Sequence, residues 1–157
     1  MSFLNQIFES MIQTQHLTKK FTLSNKQRKK LGFAVGQITA VDDVNFTCKP
    51  GRIFSLLGPN GAGKTTTLRM IATILQPTSG KIEVAGKDTV RDGQGVRSRI
   101  GFLTGSTGLY DRLTPGELVS YFARLYNIPK EEAGKRKNEL FHRLDIHKFS
   151  GKRIGEL

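Results

Sequence analysis

The residues from Gly58 to Thr65 follow the pattern G-x-x-x-x-G-K-[ST]. Glycine permits backbone angles and close approaches that a Cβ would block, so successive backbone N–H groups can wrap around phosphate oxygens. A helix that starts at this point adds its unpaired N–H groups and the positive end of its dipole. We therefore interpret the segment as a phosphate loop, consisting of Gly58, Pro59, Asn60, Gly61, Ala62, Gly63, Lys64 and Thr65.

Three side chains at the end of the phosphate loop have predicted chemical roles. Lys64 can reach the β- and γ-phosphates of a nucleotide and offset charge during phosphoryl transfer, which makes it the candidate catalytic residue. Thr65 can offer its hydroxyl to the Mg²⁺ that bridges these phosphates, and Thr66 can add a hydroxyl near the α-phosphate. The predicted ligand is ATP with Mg²⁺.

The neighbouring sequence predicts the elements that position this loop. Ile53 to Leu57 is a short apolar run ending at Gly58, which predicts a buried strand. After Lys64, apolar residues recur at helical spacing until Pro77 ends the helix, namely Leu68, Ile71, Ala72 and Leu75. A glycine-rich structural turn is the alternative, but it does not need this order of strand, loop and helix.

Further elements are predicted on both sides. Ile12 to Phe21 alternates like a strand, and the basic segment from Ser24 to Lys30 suggests a long hairpin connection. Ile82 and Val84 belong to another predicted strand, and Ile100 to Leu103 is a second apolar run.

The last third of the sequence predicts two amphipathic helices. The first begins at Thr114 to Glu117, which combines an N-cap hydroxyl, a proline at the first helical position and a glutamate that can return a capping bond. Its expected apolar face is Leu118, Tyr121, Phe122 and Leu125. The second follows Pro129, with Ala133, Leu140, Phe141 and Leu144 on its apolar face.

Composition restricts the class of protein. The 157 residues, 37% of them hydrophobic, suit one globular domain. One cysteine, Cys48, cannot form an internal disulfide, which favours a reducing compartment and hence the cytoplasm. The first residues lack the features of a secretory signal, and the apolar stretch 31–41 is too short to cross a bilayer. We expect any membrane association to depend on a partner.

The formal charge of +12 comes mainly from two basic groups, 19–30 and 130–137. In the second group Glu131, Glu132 and Glu139 lie at helical spacing from the cations, which predicts a solvated helix face with internal ion pairs. Contact with anionic lipid or RNA is the alternative for the basic segments. Nucleic acid is therefore not the favoured partner.

Two stretches, Leu56 to Leu68 and Leu75 to Gly80, resemble the nucleotide-binding domain of ABC transporters, and the similarity extends from about Ile12 to Leu157. The resemblance implies an α/β P-loop NTPase of ABC type, with a mixed sheet core, an antiparallel β subdomain and an incomplete helical subdomain. Residues 1–157 would be the N-terminal part of one such domain, with a β-rich P-loop core at about 1–105 and the start of the helical subdomain at about 106–157.

The same resemblance assigns further positions. Phe21 matches the aromatic residue on which the family stacks adenine, although an aromatic at a strand end also serves as core. Gly105 falls where the family has a glutamine that contacts Mg²⁺, and glycine has no side chain to do so. Leu157 looks like the first residue of the family's signature sequence. The strands flanking Ile53 to Leu57 would come from sequence after Leu157, so exposed apolar edges and poor solubility are expected.

No residue of this chain matches the family's general base. Carboxylates Asp42, Asp43 and Glu83 do not follow a long hydrophobic strand and are interpreted as lone surface groups. The histidines at 16, 142 and 147 are likewise predicted to bind no metal. Binding of ATP without hydrolysis is therefore the expectation for this chain alone.

The resemblance implies an ATP-binding subunit that forms a head-to-tail dimer with a second ATP-binding subunit. Their closure would power export through a separate membrane permease at the inner face of the cell membrane. Val41 to Val44 and Gly108 to Thr114 are similar to the branch associated with sodium or drug export. The alternatives are an inactive nucleotide-binding module and a non-transport ABC protein that acts on nucleic acid.

Overall fold

The computed structural model describes residues 11–32, 36–104 and 108–157. The chain divides into a first unit, Met1–Phe102, and a second unit, Leu103–Leu157. The assignment of these units to the core and the helical subdomain of one nucleotide-binding domain stays a prediction. Within the described ranges, no helix has the length and apolar character that a membrane span requires.

The first unit is built on an antiparallel sheet flanked by short helices. The strands are β1 (Ile12–Thr22), β2 (Gln37–Cys48), β3 (Ser79–Val84) and β4 (Lys87–Asp88), in the order β2-β1-β3-β4. The helices are α1 (Asn25–Leu31), α2 (Lys64–Ile71) and α3 (Gly93–Arg97). The α/β class and the predicted strands around Ile12 and Ile82 are confirmed, and every strand pair of the described sheet is antiparallel.

The core of the first unit lies between the sheet and α2. Its most deeply buried side chains are contributed by both strands and helices: Leu17, Met70, Ile82, Val84 and Val96. Because α2 contacts both β2 and β3, the helix that follows the phosphate loop is fixed against the sheet. This packing holds the start of α2, and with it the end of the loop, at one place on the sheet.

The connection between β1 and β2 contains a helix, α1, that the sequence analysis missed. The long hairpin itself is confirmed, because Phe21 pairs with Ile38 and Thr22 with Gln37. Ser24, a favourable N-cap residue, precedes a run of good helix formers, and the Arg28 amide donates to its carbonyl at 2.9 Å. That signal was available in the sequence.

The predicted buried strand from Ile53 to Leu57 is wrong for the described structure. Ile53 is 99% exposed and Leu57 90% exposed, and the segment forms no strand. A strand requires a hydrogen-bonded neighbour, and the segment pairs with none of the four described strands. The apolar run from Ile100 to Leu103 is not a strand either, since Leu103 is 88% exposed.

The second unit contains the two predicted helices, α4 (Pro115–Leu125) and α5 (Lys130–Arg143), followed by 3₁₀ turns at His147–Phe149 and Ile154–Glu156. The expected apolar face of α4 is wrong in part. Tyr121, Phe122 and Leu125 are 46%, 43% and 59% exposed, whereas Ala123 is buried. The helix α4 packs against α5, and Ala123 is its buried residue, while Tyr121 makes ring contacts with Tyr110 and Phe122.

The polar face of α5 has the predicted ion pairs. Lys135 pairs with Glu131 at 2.8 Å and Arg143 with Glu139 at 3.5 Å, each four residues apart. The third pair joins Arg136 and Glu132. Such exposed pairs each stabilise a helix by about 0.3–0.5 kcal/mol. The predicted ion pairs are therefore confirmed for Lys135 and Arg136 of the second basic group, whereas Lys130 and Lys137 belong to none of the ion pairs among the described residues.

The capping box at the start of α4 is confirmed and gives a stability prediction. The Thr114 hydroxyl accepts from the Glu117 amide at 3.2 Å, and the Glu117 carboxylate accepts from the Thr114 amide at 2.8 Å. Replacing Thr114 by alanine should cost about 1 kcal/mol. Urea unfolding followed by far-ultraviolet circular dichroism measures it. Ser120→Ala removes a hydroxyl inside the same helix and should cost less. Equal costs for the two variants would contradict a capping role.

Candidate phosphate-binding site

The end of the phosphate loop is held against β2 by a close backbone contact at Gly63. Gly63 has φ +81°, a left-handed conformation, and a Cβ placed there would lie 2.2 Å from the carbonyl oxygen of Ala40. Only glycine fits this approach without displacing the strand. The Thr67 hydroxyl donates to the Gly63 carbonyl at 3.1 Å, and the Thr67 amide does so at 2.8 Å. The loop end is therefore fixed from both sides.

The N-terminal end of helix α2, at Lys64, presents backbone N–H groups that form no hydrogen bond within the helix. Its N-cap residue, Gly63, provides no side-chain cap, and its first turn contains no acidic residue. The first four N–H groups of any helix lack an intrahelical acceptor. The positive end of the helix dipole is therefore left without a compensating carboxylate. These features of the described residues suit a bound phosphate group.

The Lys64 ammonium group lies over the start of the loop. Its Nζ donates to the carbonyl oxygens of Gly58, at 2.6 Å, and Pro59, at 2.7 Å. The loop is further closed by a hydrogen bond from the Ala62 amide to Pro59 at 3.2 Å. The structure thus brings the predicted lysine, the uncapped helix start and the glycine-rich backbone together at one place.

The predicted magnesium ligand lies at the surface. Thr65 is exposed and Thr66 is half-buried, and both belong to the first turn of α2. Across the described residues, no group of three or more His, Cys, Asp or Glu side chains is placed to hold a metal ion. Mg²⁺ is typically held by one or two protein ligands together with substrate phosphates and water. The role of Thr65 as a Mg²⁺ ligand stays a prediction.

The predicted adenine-stacking residue lies on the neighbouring strand. Phe21 is 38% exposed, and the Lys19 ammonium group lies 5.2 Å from the centre of its ring. Phe21 pairs across the hairpin with Ile38, two residues before Ala40, against which Gly63 packs. From strand spacing, this places Phe21 on the order of 10 Å from the loop end. Its role in stacking stays a prediction.

The remaining predicted positions take no part in the loop. Gly105 lies outside the described residues. Leu157 is 64% exposed after the last 3₁₀ turn. Glu83 pairs with Lys81 at 2.8 Å, and the rings of His142 and His147 stack with their centres 5.0 Å apart.

The interpretation of Asp43 and Glu83 as lone surface carboxylates is wrong, because Asp43 pairs with His16 and Glu83 pairs with Lys81. His16 Nδ1 lies 2.7 Å from Asp43 Oδ1, and both residues have positive φ at the irregular part of the β1–β2 pairing. The hydrogen bond with His16, followed by that with Asn45, lowers the pKa of Asp43. Asp42, the neighbouring carboxylate, is exposed.

Replacing His16 by alanine should raise the pKa of Asp43 toward its ordinary value, because its largest stabilising hydrogen bond is lost. A lowered folded-state pKa adds stability above the unfolded pKa, and that stability is lost as pH falls through the folded pKa. The variant should therefore lose less stability on acidification. Carboxyl NMR titration measures the pKa. His147→Ala is the control, and an unchanged Asp43 pKa in His16→Ala would contradict the pairing.

Two positioning residues were missed by sequence reasoning. Thr67 is buried and anchors Gly63 through its hydroxyl, while Ala40 provides the carbonyl oxygen against which Gly63 packs. Thr67 follows Thr65 and Thr66 in the sequence. Its side chain differs from theirs because it reaches Gly63, which lies one helical turn earlier. Helical spacing is therefore the signal that could have identified this role. No sequence pattern singles out Ala40, because its role lies in the backbone.

Comparison with known proteins agrees with this geometry. The ABC transporter family profile matches residues 41–157. The chain is 45% identical over 119 residues to the ABC transporter ATP-binding protein NatA of Bacillus subtilis (strain 168), covering 75% of this chain and 48% of NatA. It is 36% identical over 131 residues to the doxorubicin resistance ATP-binding protein DrrA of Mycobacterium tuberculosis (strain ATCC 25618 / H37Rv), covering 83% and 39% of the two chains.

A solved structure shows the same fold. The ATP-binding cassette MJ0796, in a dimeric post-hydrolysis state bound to ADP and Pi, matches with a TM-score of 0.73 and 25% identity, over 94% of this chain and 63% of that one. The fold and the phosphate loop are those of a P-loop nucleotide-binding protein. The chain belongs to the ABC transporter family, on its ATP-binding side. It spans about half or less of the length of these two curated relatives.

Proposed function

We propose that this chain binds Mg-ATP at the phosphate loop, as part of the ATP-binding subunit of an ABC transporter. The observation that carries the proposal is the uncapped start of α2, with Gly63 packed on Ala40 and the Lys64 ammonium group lying over the loop. Backbone donors, a helix dipole and one cation converge there on the space that a triphosphate needs. Thr65 supplies the Mg²⁺ ligand and Phe21 the surface for adenine.

The complete subunit, in this proposal, hydrolyses ATP in a head-to-tail dimer and drives export through a separate membrane permease on the cytoplasmic side. Family membership supports hydrolysis, and the dimeric cassette bound to ADP and Pi is similar in fold. Similarity to a doxorubicin resistance ATP-binding protein supports export of a drug. This chain alone binds ATP without steady turnover, because none of its carboxylates matches the general base of the family.

The role of Phe21 provides the test of nucleotide recognition. Phe21→Ala should weaken Mg-ATP binding about tenfold, because the stacking surface for the base is lost. Binding of Mg-tripolyphosphate, which has no base, should not change, and Phe21→Tyr should behave like the unmodified chain. Isothermal calorimetry measures all three. Equal weakening of both ligands by Phe21→Ala would show a structural role instead and overturn the stacking assignment.

The second candidate is a non-transport ABC protein that binds nucleic acid. The observation in its favour is α1, where Lys26, Arg28 and Lys29 follow one another closely with no acidic residue in the first turn. Fluorescence anisotropy with labelled single-stranded RNA decides between the candidates. Binding that weakens steeply with salt and is lost in Lys26→Gln/Lys29→Gln would favour it. We expect no such binding at physiological ionic strength.

A further inference from the structure

A cavity in the second unit lies between α4 and α5, apart from the residues assigned to nucleotide binding. Its volume is about 420 Å³, within the range of roughly 300–1,000 Å³ that small-molecule sites occupy. The apolar part of its lining comes from Ala123, Ile128 and Ala133. Gly134 adds no side chain, and a Cβ there would meet no atom within 4 Å. This cavity, called the α4–α5 groove below, therefore has open space next to an apolar surface.

The charged part of the lining is cationic, and Ser120 adds a neutral hydroxyl. Arg124, Lys130 and Lys137 line the cavity, and no acidic residue does. On the same α5 helix, the cations outside the cavity each have a carboxylate four residues earlier, as in Lys135–Glu131. In the described part of the chain, no ion pair neutralises the three cavity cations. Uncompensated positive charge is thus concentrated beside an apolar surface.

We propose that this groove binds a small amphiphilic anion. The apolar body of the ligand would lie on Ala123, Ile128 and Ala133, and its carboxylate or phosphate head would lie among the three cations. An inorganic anion would gain little from exposed lysines alone, because exposed ion pairs are weak. A neutral chain would leave the cations unused. Only a ligand with an apolar body and an anionic head would contact both the apolar lining and the three cations of the groove.

Dodecyl phosphate and dodecanoate, below their micellar concentrations, are the probes for the two possible head groups. Equilibrium dialysis against the 157-residue chain should show saturable binding of one molecule per chain by at least one of them. Dodecanol, which keeps the chain length, and inorganic phosphate, which keeps the head, should each bind at least about tenfold more weakly. Raising the salt concentration should weaken binding of the anion, because partly exposed charges are screened. Equal binding of dodecanol would overturn the proposal.

Matched variants locate the site on α5. Gly134→Leu places a side chain in the open groove and should reduce binding at least about tenfold, while its higher helix propensity preserves α5. The double change Lys130→Gln/Lys137→Gln should reduce binding by a similar factor. Lys135→Gln removes one positive charge from the other side of the same helix and should leave binding unchanged.

The variants also decide against other occupants. If Gly134→Leu loses helix by circular dichroism, the double glutamine variant gives the answer, because it changes only exposed or half-buried side chains. Undiminished dodecyl phosphate binding in that variant would place the site elsewhere and overturn the proposal. An acidic amphipathic peptide that binds at this groove when both amphiphiles fail would show that the surface docks a protein, which also contradicts the proposal.

Discussion

Replacing Lys64 by alanine should lower the affinity for Mg-ATP about 100-fold, equivalent to about 2.7 kcal/mol. The lysine provides the one side-chain cation of the phosphate loop, and its Nζ lies within 2.7 Å of two loop carbonyl oxygens. Without it, the β- and γ-phosphates keep the backbone donors but lose their counter-charge. Isothermal calorimetry at fixed Mg²⁺ concentration measures the change.

Two further variants separate local chemistry from general charge. Lys135→Ala removes an exposed lysine from α5 and should bind Mg-ATP like the unmodified chain. Lys64→Arg keeps the charge but not the compact ammonium group, and should recover only part of the affinity. If Lys64→Ala and Lys135→Ala gave the same modest loss of Mg-ATP affinity, the attraction between the chain and the nucleotide would be non-specific. The assignment of Lys64 would then be wrong.

Gly63→Ala should destabilise the first unit by about 3 kcal/mol and abolish nucleotide binding. The substitution forces a side chain into a left-handed conformation at φ +81° and brings its Cβ to 2.2 Å from the Ala40 oxygen. Either the loop or β2 must move, and either movement removes the contact between the loop and the strand. Urea unfolding measures the stability, and calorimetry with Mg-ATP measures the binding.

Gly61→Ala is the matched control, because Gly61 also has positive φ, at +85°, but a Cβ there meets nothing within 4 Å. It should cost only the conformational term, about 1 kcal/mol. The difference between the two losses in free energy of unfolding therefore measures the effect of the contact with Ala40. Equal costs would show that this contact does not hold the loop.

Local signals in the sequence predicted local structure well. The capping box at Thr114 fixed the start of α4 because both of its hydrogen bonds lie within one helical turn. The ion pairs of α5 followed from a spacing of four residues for the same reason. The strand from Ile12 was found from alternation, since one of its faces packs on the core through Leu17.

Non-local features were predicted only in part, because the hairpin of β1 and β2 was found but the pairing of the segment after β2 was not. Ile53 to Leu57 has the composition of a buried strand, yet composition does not supply the neighbouring strand that must pair with it. The segment lines an open groove of about 600 Å³ through Phe54 and Leu56, together with Phe46 and Leu68 among others. The exposed α4 residues Tyr121 and Leu125 show the same limit, because helical periodicity defines a face but not what covers it.

In the candidate site, too, the sequence predicted local features but not tertiary contacts. The loop motif identified Lys64 and Gly63 by residue type, and the structure places both at the start of α2. The support from Ala40 and Thr67 depends on how β2 meets that helix, which is a tertiary contact. The motif therefore predicts the groups that face a ligand better than the groups that hold them in place.

Amide NMR on addition of Mg-ATP tests the central claim most directly. Backbone N–H signals of Gly58 and of residues 60–66 should shift strongly and saturably, since these groups are proposed to donate to phosphate oxygens; Pro59 has no N–H. Signals in α5 should stay unchanged, and Lys64→Ala should reduce the shifts at equal nucleotide concentration. If Mg-ATP left the amides of the phosphate loop unshifted while the chain remained folded, the loop would not be a nucleotide site.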